Sequence, residues 1–380
     1  MKLWSDRVFV NGALIPAAIE TDGSYITKVT PRAYCLDDER NLSGFRVLPG
    51  YVDTHIHGCD GVDTMDATYE AMNTMSSYLV KHGVTSFCPT TVTAPMEKIH
   101  KALKCVKNAM EKGVDGARIL GSYVEGPYIT VEHKGAHPER CIREIDLDEV
   151  QELLDSADGT MRTIIIAPEK KNTLEAIAML RKAGVRVSLG HSSADAEQVE
   201  AAMAAGANTV VHIYNGMASL HHRKPGLLGT ALIRDCYTEL ICDGIHVKTL
   251  PVQVAARCKA NDRMVLITDC MRAGGMPDGE YSLGELDVRV EGGAAYLKVG
   301  GSLAGSTLSL DRAVANYQKL GHVSFEDAVL AATANPAAAL GISDQVGSLT
   351  PGKRADIIVV DDDCTVRFVT MDDEVKVDAI

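Results

Sequence analysis

Residues 182–192 read KAGVRVSLGHS, and this stretch carries the pattern that decides the fold. A helix-like segment ends at Gly184, a short valine-rich run follows, and the polar pair His191 and Ser192 closes it. Glycine suits the end of a helix because it readily adopts the left-handed conformation that stops the helix. The same pattern recurs after three further glycines, Gly83, Gly113 and Gly206. The middle of the chain therefore predicts alternating helices and strands.

Further runs of the same kind bring the number of candidate strands to eight. They lie at residues 51–58, 84–91, 117–128, 161–169, 185–192, 208–217, 238–246 and 264–271. Continuous apolar strands separated by helices are typical of a parallel sheet that is covered on both faces. Eight such units over residues 50–340 predict an α/β fold of the (β/α)8 TIM-like barrel type. A doubly wound α/β sheet is the alternative.

The two ends of the chain follow a different pattern, in which apolar and polar residues alternate between turn motifs. Residues 1–49 contain the turns VNG and TDG, and residues 341–380 contain the strand-like runs ADIIVVDDD and TVRFVT. Neither end alone can bury a useful core. We therefore expect the two ends to form a small discontinuous β-sandwich domain beside a catalytic barrel of residues 50–340. Within the barrel segment, residues 278–301 are predicted to form hairpins.

Composition and charge limit the classes of partner. The chain has 38 Lys and Arg against 51 Asp and Glu, a net charge of −13, which argues against a nucleic-acid or anionic membrane surface. The first residues lack the apolar stretch of a signal peptide, and no run of about 18 apolar residues occurs. We therefore expect a cytoplasmic protein that binds neither nucleic acid nor membrane. The ten cysteines form no CxxC pair and are predicted to be reduced thiols.

Side chains suited to metal binding stand at the ends of the predicted strands. His55 and His57 lie two positions apart, so both project from the same face of the first strand. Four further strand ends carry Glu125, His191, His212 and Asp269. A barrel brings these ends together at one mouth. Imidazoles with a carboxylate suit Zn²⁺ or Fe²⁺ better than Ca²⁺ or Mg²⁺, so we expect one or two such ions and no organic cofactor.

Asp269 is the candidate for proton transfer. A divalent metal polarises a carbonyl and lowers the pKa of a bound water, but a separate group must still move the proton. A carboxylate at the last strand can take that proton and return it to the leaving nitrogen. The alternatives for Asp269 are a metal ligand or a salt-bridge partner.

The motifs of the chain, taken together, resemble those of a known family. They are PGYVDTHIHG, VEGPY, KGAH, LGHS, HIYNGM, RKPG, CDGIH, LITD, LAGS, TANPAAALG and GSLTPGKRADIIVVD. The chain resembles the amidohydrolase superfamily over nearly its whole length and, more narrowly, the N-acetylglucosamine-6-phosphate deacetylase family. The His-x-His pair and ADIIVVD mark the superfamily, whereas EGPY with KGAH, HIYNGM with RKPG, and CDGIH mark the deacetylases. The resemblance implies hydrolysis of the 2-acetamido group of an amino-sugar 6-phosphate, with release of acetate.

The resemblance also implies roles for individual residues. Glu125, His191 and His212 would hold the ion common to the family, Asp269 would be the acid and base, and His137 would hydrogen-bond the substrate and the developing oxyanion. The phosphate would lie near the backbone amides of Asn215 and Gly216. The other expected substrate-binding residues are Ala136, Arg223, His246, Leu303, Ala304 and Gly305. In similar enzymes the arginine can come from a neighbouring subunit, which implies a homodimer. From the residues alone, an exposed loop position is favoured for His137, and the HHRKPG segment could equally be a solvated turn.

Two features set this chain apart within the resemblance. Family members that keep the His-x-His pair hold two ions bridged by the counterpart of Glu125, and this chain keeps both His55 and His57. Gly216 stands where the family usually has alanine. No lysine ends the IIIAPE strand, which argues against a dihydroorotase or hydantoinase with a carboxylated lysine.

Other functions remain open on the sequence. The chain could be an N-acetylgalactosamine-6-phosphate deacetylase, another amidohydrolase of the D-aminoacylase or nucleobase deaminase type, or a non-catalytic barrel scaffold. Arg223 and His246 favour a phosphate site and therefore argue against a D-aminoacylase or nucleobase deaminase. Retention of all five metal donors together with Asp269 argues against a non-catalytic scaffold.

Overall fold

The computed structural model describes residues 1–380. The strands are β1 (Lys2–Val10), β2 (Ala13–Asp22), β3 (Tyr25–Pro31), β4 (Arg40–Asn41), β5 (Arg46–Pro49), β6 (Tyr51–Ile56), β7 (Gly58–Cys59), β8 (Val62–Asp63), β9 (Val84–Thr91), β10 (Arg118–Ile119), β11 (Ser122–Val124), β12 (Met161–Ile166), β13 (Arg186–Leu189), β14 (Thr209–Val210), β15 (Tyr237–Ile241), β16 (Met264–Ile267), β17 (Gly279–Leu283), β18 (Leu286–Glu291), β19 (Ala294–Leu297), β20 (Ile357–Val360), β21 (Val366–Met371) and β22 (Glu374–Asp378). The α-helices are α1 (Tyr69–Leu79), α2 (Met96–Lys112), α3 (Leu147–Ala157), α4 (Thr173–Lys182), α5 (Ala196–Ala205), α6 (Gly226–Ile233), α7 (Thr249–Cys258), α8 (Leu310–Gly321), α9 (Phe325–Ala332) and α10 (Ala334–Leu340).

Eight parallel strands form the barrel. They are β6, β9, β11, β12, β13, β14, β15 and β16, paired in this order. The last strand meets the first through the parallel bridge of Ile56 with Cys270 and through the Asp269 N–H, which donates to the His55 carbonyl at 2.9 Å. This nearly closed ring confirms the predicted barrel and excludes the doubly wound alternative, in which the edge strands stay apart.

The burial of the elements explains the sequence patterns. All eight residues of β9 and all four of β16 are buried, because the barrel interior covers one face and the helices cover the other. A cluster of 69 buried residues joins strands and helices into one core. Gly83 and Gly184 have φ of 74° and 80°, the left-handed conformation predicted at these helix ends. None of the helices is long and apolar enough to cross a membrane.

The two chain ends pair with each other, as predicted. Their strands form one hydrogen-bonded sheet in the order β22-β21-β20-β5-β1-β2-β3, with β4 beside β1. The junction is the antiparallel pairing of β5 with β20, in which Val47 faces Val359. One side of the sheet encloses a twelve-residue cluster that includes Leu3, Ile19 and Phe368. Other side chains of the sheet, among them Leu48 and Ile358, join the core of the barrel.

The hairpins expected at residues 278–301 form a separate antiparallel sheet of β17, β18 and β19. Arg272, which follows β16, fastens this sheet to the barrel mouth. Its Nε donates to the Ser282 carbonyl at 3.2 Å, and its Nη1 donates to the Gly61 carbonyl at 2.9 Å. Asp63 accepts from the Gly284 N–H at 3.3 Å. The turn between β17 and β18 is thereby held beside the strand ends.

Candidate active site

Histidines and carboxylates from five strands converge at the barrel mouth. His55 belongs to β6 and His57 follows it, and the other members lie one or two residues after the ends of β11, β13, β14 and β16. These other members are Glu125, His191, His212 and Asp269. All six side chains are buried, although their strands are far apart in the sequence. The barrel thus brings together every residue that the sequence placed at a strand end.

Glu125 joins the members into two groups. Its Oε1 lies 3.2 Å from His191 Nε2 and 3.1 Å from His212 Nε2. Its Oε2 lies 3.0 Å from His57 Nε2 and 3.7 Å from His55 Nε2. Each group of three, one with the first two histidines and one with the last two, is compact enough to hold a metal ion. One carboxylate shared by two such groups is an arrangement that can bridge two ions.

The outer nitrogens of the histidines are already occupied. Three Nδ1 atoms lie next to backbone carbonyls: His57 at 3.2 Å from Thr90, His191 at 2.7 Å from His133 and His212 at 3.2 Å from Asn215. A carbonyl only accepts, so each Nδ1 carries the hydrogen and donates it. In the neutral form of each ring, Nε2 therefore turns a lone pair toward Glu125, which is the tautomer that a metal ligand needs.

The donor set fits a divalent cation on the geometry of the structure itself. His191 Nε2 and His212 Nε2 lie 3.0 Å apart, and both face a carboxylate oxygen, so three acceptors point at one place. His55 Nε2 is fully buried and has no hydrogen-bond partner. A buried polar atom without a partner is costly. A cation would both bind the three converging acceptors and give His55 Nε2 a partner. Nitrogen and carboxylate ligands of this kind suit Zn²⁺ or Fe²⁺.

The electrostatics of the cluster also favour positive charge. Burial disfavours an imidazolium, but hydrogen bonds to Asp269 and Glu125 outweigh it and raise the pKa of His57 to about 9. For Asp269, burial is outweighed by His55 and His57, which hold the pKa of that carboxyl below its ordinary value. The carboxylate is therefore ionised near neutral pH, the form that a general base requires.

Three of the strand-end residues have a strained backbone. His191, His212 and Asp269 have φ of 48°, 25° and 47°, a region that residues other than glycine rarely adopt. Such outliers persist only where the surrounding structure holds them, and they concentrate at functional sites. Here the reversal at each strand end directs the side chain inward toward Glu125.

His137 is buried beside this cluster, which excludes the exposed-loop alternative. The Thr93 N–H donates to its Nδ1 at 3.2 Å, so the hydrogen of the neutral ring resides on Nε2. That Nε2 lies 3.6 Å from Glu125 Oε2. Burial is the largest cause that lowers the pKa of His137, to about 3. The ring is a neutral hydrogen-bond donor at the mouth of the barrel.

A cavity of about 310 Å³ opens over the cluster. It is lined by His57, Glu125, Gly135, Ala136, His137, His191, His212, Tyr214, Asn215, Gly216, Ile241, His246, Asp269, Leu283, Ser302, Leu303 and Gly305. Most of the predicted substrate-binding residues are among them. His55 lies just behind the lining, fully buried.

The wall expected to bind phosphate is only partly free. The Asn215 N–H donates to the His212 carbonyl at 3.0 Å, so this amide is already engaged, whereas the Gly216 N–H has no partner within the chain. His246 Nδ1 lies 2.6 Å from Asp243 Oδ2, which leaves Nε2 of His246 without a protein partner. Asp243 also accepts the N–H groups of Ile245 and His246, so this histidine is firmly oriented.

Two predicted substrate-binding residues do not reach the cavity of their own chain. Arg223 lies in an exposed loop, where its Nη1 contacts His222 Nε2 at 2.7 Å. Ala304 is fully buried in an apolar cluster with Val288 and Leu283, and its N–H donates to the Ala295 carbonyl. Its neighbours Leu303 and Gly305 in LAGS line the cavity, whereas Ala304 does not.

The sequence analysis missed two buried carboxylates beneath the cluster. Glu239 Oε2 lies 3.3 Å from His55 Nδ1, and Asp53 accepts from the Thr268 hydroxyl at 2.6 Å. Asp53 precedes His55 by two residues and therefore shares its face of β6. Glu239 is a charged residue inside an apolar strand, which needs a buried partner. Both patterns were available in the sequence.

Most of the chain is similar to proteins of a known family. The family model described as the amidohydrolase family matches residues 46–380. The N-acetylglucosamine-6-phosphate deacetylase of Vibrio furnissii is 48% identical over 84% of this chain and 80% of its own length. The N-acetylgalactosamine-6-phosphate deacetylase of Escherichia coli O157:H7 is 44% identical over 85% of each chain.

Solved structures lead to the same group. The N-acetylglucosamine-6-phosphate deacetylase of Mycobacterium smegmatis, determined as a variant with its substrate, superimposes with a TM-score of 0.94 at 33% identity over 99% of each chain. The deacetylase of Thermotoga maritima gives a TM-score of 0.90, also at 33% identity and 99% coverage of both chains. The chain therefore belongs to the amidohydrolase family, in the same branch as these amino-sugar-phosphate deacetylases.

Proposed function

We propose that the chain hydrolyses N-acetyl-D-glucosamine 6-phosphate to D-glucosamine 6-phosphate and acetate. One observation carries this proposal. The two groups of candidate metal ligands, the ionised carboxylate of Asp269 and free hydrogen-bond donors all lie at the same cavity. The relatives named above act on N-acetylated amino-sugar phosphates, and their identity over most of the chain supports the same substrate class.

Asp269 moves the proton in this reaction. Glu125, His191 and His212 would hold one divalent ion, and His55 and His57 with Glu125 would hold a second; such ions would supply Lewis acidity and lower the pKa of water. The Asp269 carboxylate, held 3.1 Å from His57, accepts a proton from the attacking water. The water oxygen bonds to the acetamide carbon, the C–N bond breaks, and Asp269 returns the proton to the departing amine.

His137 stabilises the charge that develops on the acetamide oxygen. Because the Thr93 N–H occupies its Nδ1, its Nε2–H is available to donate. A donor fixed before the reaction stabilises a developing oxyanion without reorganisation, a contribution of roughly 3 kcal/mol for one such group. The neutral state of His137 suits this role, because the ring donates without giving up its proton.

The opposite part of the cavity binds the phosphate. The Gly216 N–H is free to donate to a phosphate oxygen. His246 can donate from Nε2 in its imidazolium form, in which Nδ1–H pairs with Asp243. This set disfavours a D-aminoacylase or nucleobase deaminase, which have no phosphate to bind.

Acetate release should be measured with N-acetylglucosamine 6-phosphate, its galacto epimer and both unphosphorylated sugars, in the presence of Zn²⁺ or Fe²⁺. We expect the highest kcat/KM for the gluco phosphate. Equal rates without phosphate would contradict the phosphate site, and a higher rate for the galacto epimer would reassign the substrate.

We further propose that the active enzyme holds two ions. The test is metal analysis of the wild type and of the His55→Ala/His57→Ala double variant after loading with Zn²⁺. We expect nearly two equivalents in the wild type and nearly one in the variant, because His191 and His212 remain with Glu125. Equal stoichiometry in both proteins would contradict the two-ion site.

We also propose a homodimer in which Arg223 enters the cavity of the partner subunit. Arg223 is exposed in its own chain, and the nearby helices α6 and α7 expose Ile233 and Leu250 at 72% and 73%. The test mixes the inactive variants Arg223→Ala and Asp269→Asn. If the arginine acts across subunits, mixed dimers regain activity, because the first variant keeps Asp269 and receives Arg223 from the second. No recovery in verified mixed dimers would contradict the proposal.

A further inference from the structure

Glu239 is a buried carboxylate that the mechanism above does not use. It lies within β15, where its neighbours Leu240 and Ile241 are apolar and buried. Its Oε2 contacts two polar groups, His55 Nδ1 at 3.3 Å and the Tyr123 hydroxyl at 3.4 Å. The residue is 3% exposed, so water contributes little to its solvation.

Such a carboxylate needs a compensating partner, because burying an unpaired charge is costly. No lysine or arginine forms an ion pair with Glu239, and the Tyr123 hydroxyl offers only a single neutral hydrogen bond. The imidazole of His55 is therefore the main partner of this charge. The contact is specific, because it reaches the ring nitrogen that faces away from Glu125.

His55 differs from the other three histidines in this respect. Their Nδ1 atoms donate to backbone carbonyls, whose positions are set by the loops. The Nδ1 of His55 instead faces a side-chain carboxylate. A carboxylate on the outer nitrogen fixes the hydrogen on Nδ1 and makes Nε2 a stronger ligand. The same Nε2 is the buried atom without a hydrogen-bond partner in the cluster.

We propose that Glu239 is a positioning residue for the ion site built on His55 and His57. By accepting the Nδ1 hydrogen of His55, it holds the ring with its Nε2 lone pair toward Glu125 and Asp269, each 3.7 Å away. This proposal rests on the proposed two-ion hydrolase. Binding of the second ion then depends on Glu239, although Glu239 would not contact that ion.

The test is a calorimetric titration of the metal-free protein with Zn²⁺, carried out on the wild type and on two variants. Glu239→Gln keeps the size of the side chain but removes its charge. Tyr123→Phe is the matched control, because it removes the other contact of Glu239 and keeps the aromatic ring that packs 4.7 Å from His55. We expect Glu239→Gln to raise the dissociation constant of one ion about 10–100-fold, the usual effect of losing such an outer partner. The other ion and both ions of Tyr123→Phe should bind as in the wild type.

Two results would overturn the proposal. One is wild-type affinity for both ions in Glu239→Gln, and the other is an equal loss of both ions, which indicates a general structural role. Nitrogen-15 NMR of the metal-free proteins at alkaline pH, where the imidazole of His55 is neutral, gives a readout that does not depend on metal. We expect the hydrogen of His55 on Nδ1 in the wild type and a mixture of tautomers in Glu239→Gln. Absence of acetate release by the zinc-loaded wild type would refute the proposed function and leave this result on Glu239 intact.

Discussion

Asp269 combines a buried carboxylate with a strained backbone. Its side chain contacts His57 at 3.1 Å, and its φ of 47° directs it into the cavity. The carboxylate lies close enough to His57 to be a metal ligand and also lines the cavity at the barrel mouth. Proton transfer requires the negative charge of the Asp269 carboxylate, whereas metal binding requires an oxygen atom at the same position. A neutral side chain of the same shape can therefore separate the two roles.

Asp269→Asn tests the proton-transfer role. We expect the variant to keep its metal content and to lose about 10²–10⁴-fold in kcat, because an amide cannot accept the proton of the attacking water. Metal analysis and acetate release on the same preparation measure both effects. Loss of one ion with substantial remaining activity would make Asp269 a ligand rather than the base.

At the scale of single residues, the sequence predicted the members of the cluster that stand at strand ends. Glu239 and Asp53 were not predicted, although each is a charged residue inside an apolar strand. Which groups they contact, His55 Nδ1 for Glu239 and the Thr268 hydroxyl for Asp53, depends on how the strands are arranged in the barrel. Ala304 was assigned by motif, and a motif does not reveal which way each of its residues faces. The strained φ values of His191 and His212 depend on how the strands close, which no local pattern reports.

At the scale of the elements, the sheet of β17, β18 and β19 contributes to one side of the cavity. Leu283, at the end of β17, lines the cavity, and the adjoining Ser282 carbonyl accepts from Arg272. Gly284 has φ of 53°, and a Cβ at this residue would lie 2.7 Å from Val92 Cγ2. The turn is therefore closely packed against the barrel and depends on few polar contacts.

Arg272→Ala tests this attachment. The side chain is 19% exposed and makes hydrogen bonds to Ser282, Gly61 and Asp66. We expect a loss of about 1–3 kcal/mol in the free energy of unfolding, since two partly buried carbonyls lose a charged donor. We also expect a higher KM and faster hydrogen exchange at residues 279–297, while the metal content stays unchanged.

Arg289→Ala is the control for that experiment. Arg289 lies in the same sheet, but its side chain is 63% exposed and pairs only with Glu291. An exposed pair of this kind contributes little, so KM and exchange should match the wild type. If both variants behave alike, the attachment by Arg272 does not control the cavity.

The eight strands were predictable because burial on both faces requires continuous apolar runs. Their interruptions were not. The predicted third strand, residues 117–128, is split into β10 and β11 at Gly121, whose φ is 142°. A Cβ at Gly121 would lie 2.1 Å from the Thr160 carbonyl oxygen. This break depends on the neighbouring strand, and the sequence of one strand does not contain that information.

On the scale of the whole molecule, one ion pair joins the terminal sheet to the barrel. Arg118 of β10 donates to both carboxylate oxygens of Asp356 at 2.8 and 3.4 Å. Asp356 is 5% exposed, and burial is the largest cause that raises its pKa, which Arg118 opposes. The same arginine also contacts Asp372 at 3.1 Å, but that carboxylate is 40% exposed.

Arg118→Met should lower the free energy of unfolding by about 2–4 kcal/mol, because it leaves the Asp356 carboxylate buried without its partner. The deficit depends on charge. Burial raises the pKa of Asp356 and Arg118 opposes this rise, so the variant has a still higher pKa. The deficit is therefore fully present above the pKa of the variant and disappears as the pH falls below the pKa of the wild type, where the carboxyl is neutral in both proteins. Urea unfolding at neutral and acidic pH measures the difference between the variant and the wild type.

Asp372→Asn serves as the matched control at the same arginine. Its carboxylate is exposed to solvent, so we expect a change below about 1 kcal/mol at either pH. An equally large loss in both variants, or a loss in Arg118→Met that does not depend on pH, would contradict the assignment of the buried pair.

The pairing of β5 with β20 also sets an order of events during synthesis. The two strands lie about 310 residues apart in the chain, so β5 leaves the ribosome long before its partner exists. Until then, the edge of β5 that later faces β20 has unpaired N–H and C=O groups, which can pair with other chains. A chain that stops before residue 357 keeps this edge open permanently. Completion of the last strands thus protects the nascent protein from aggregation.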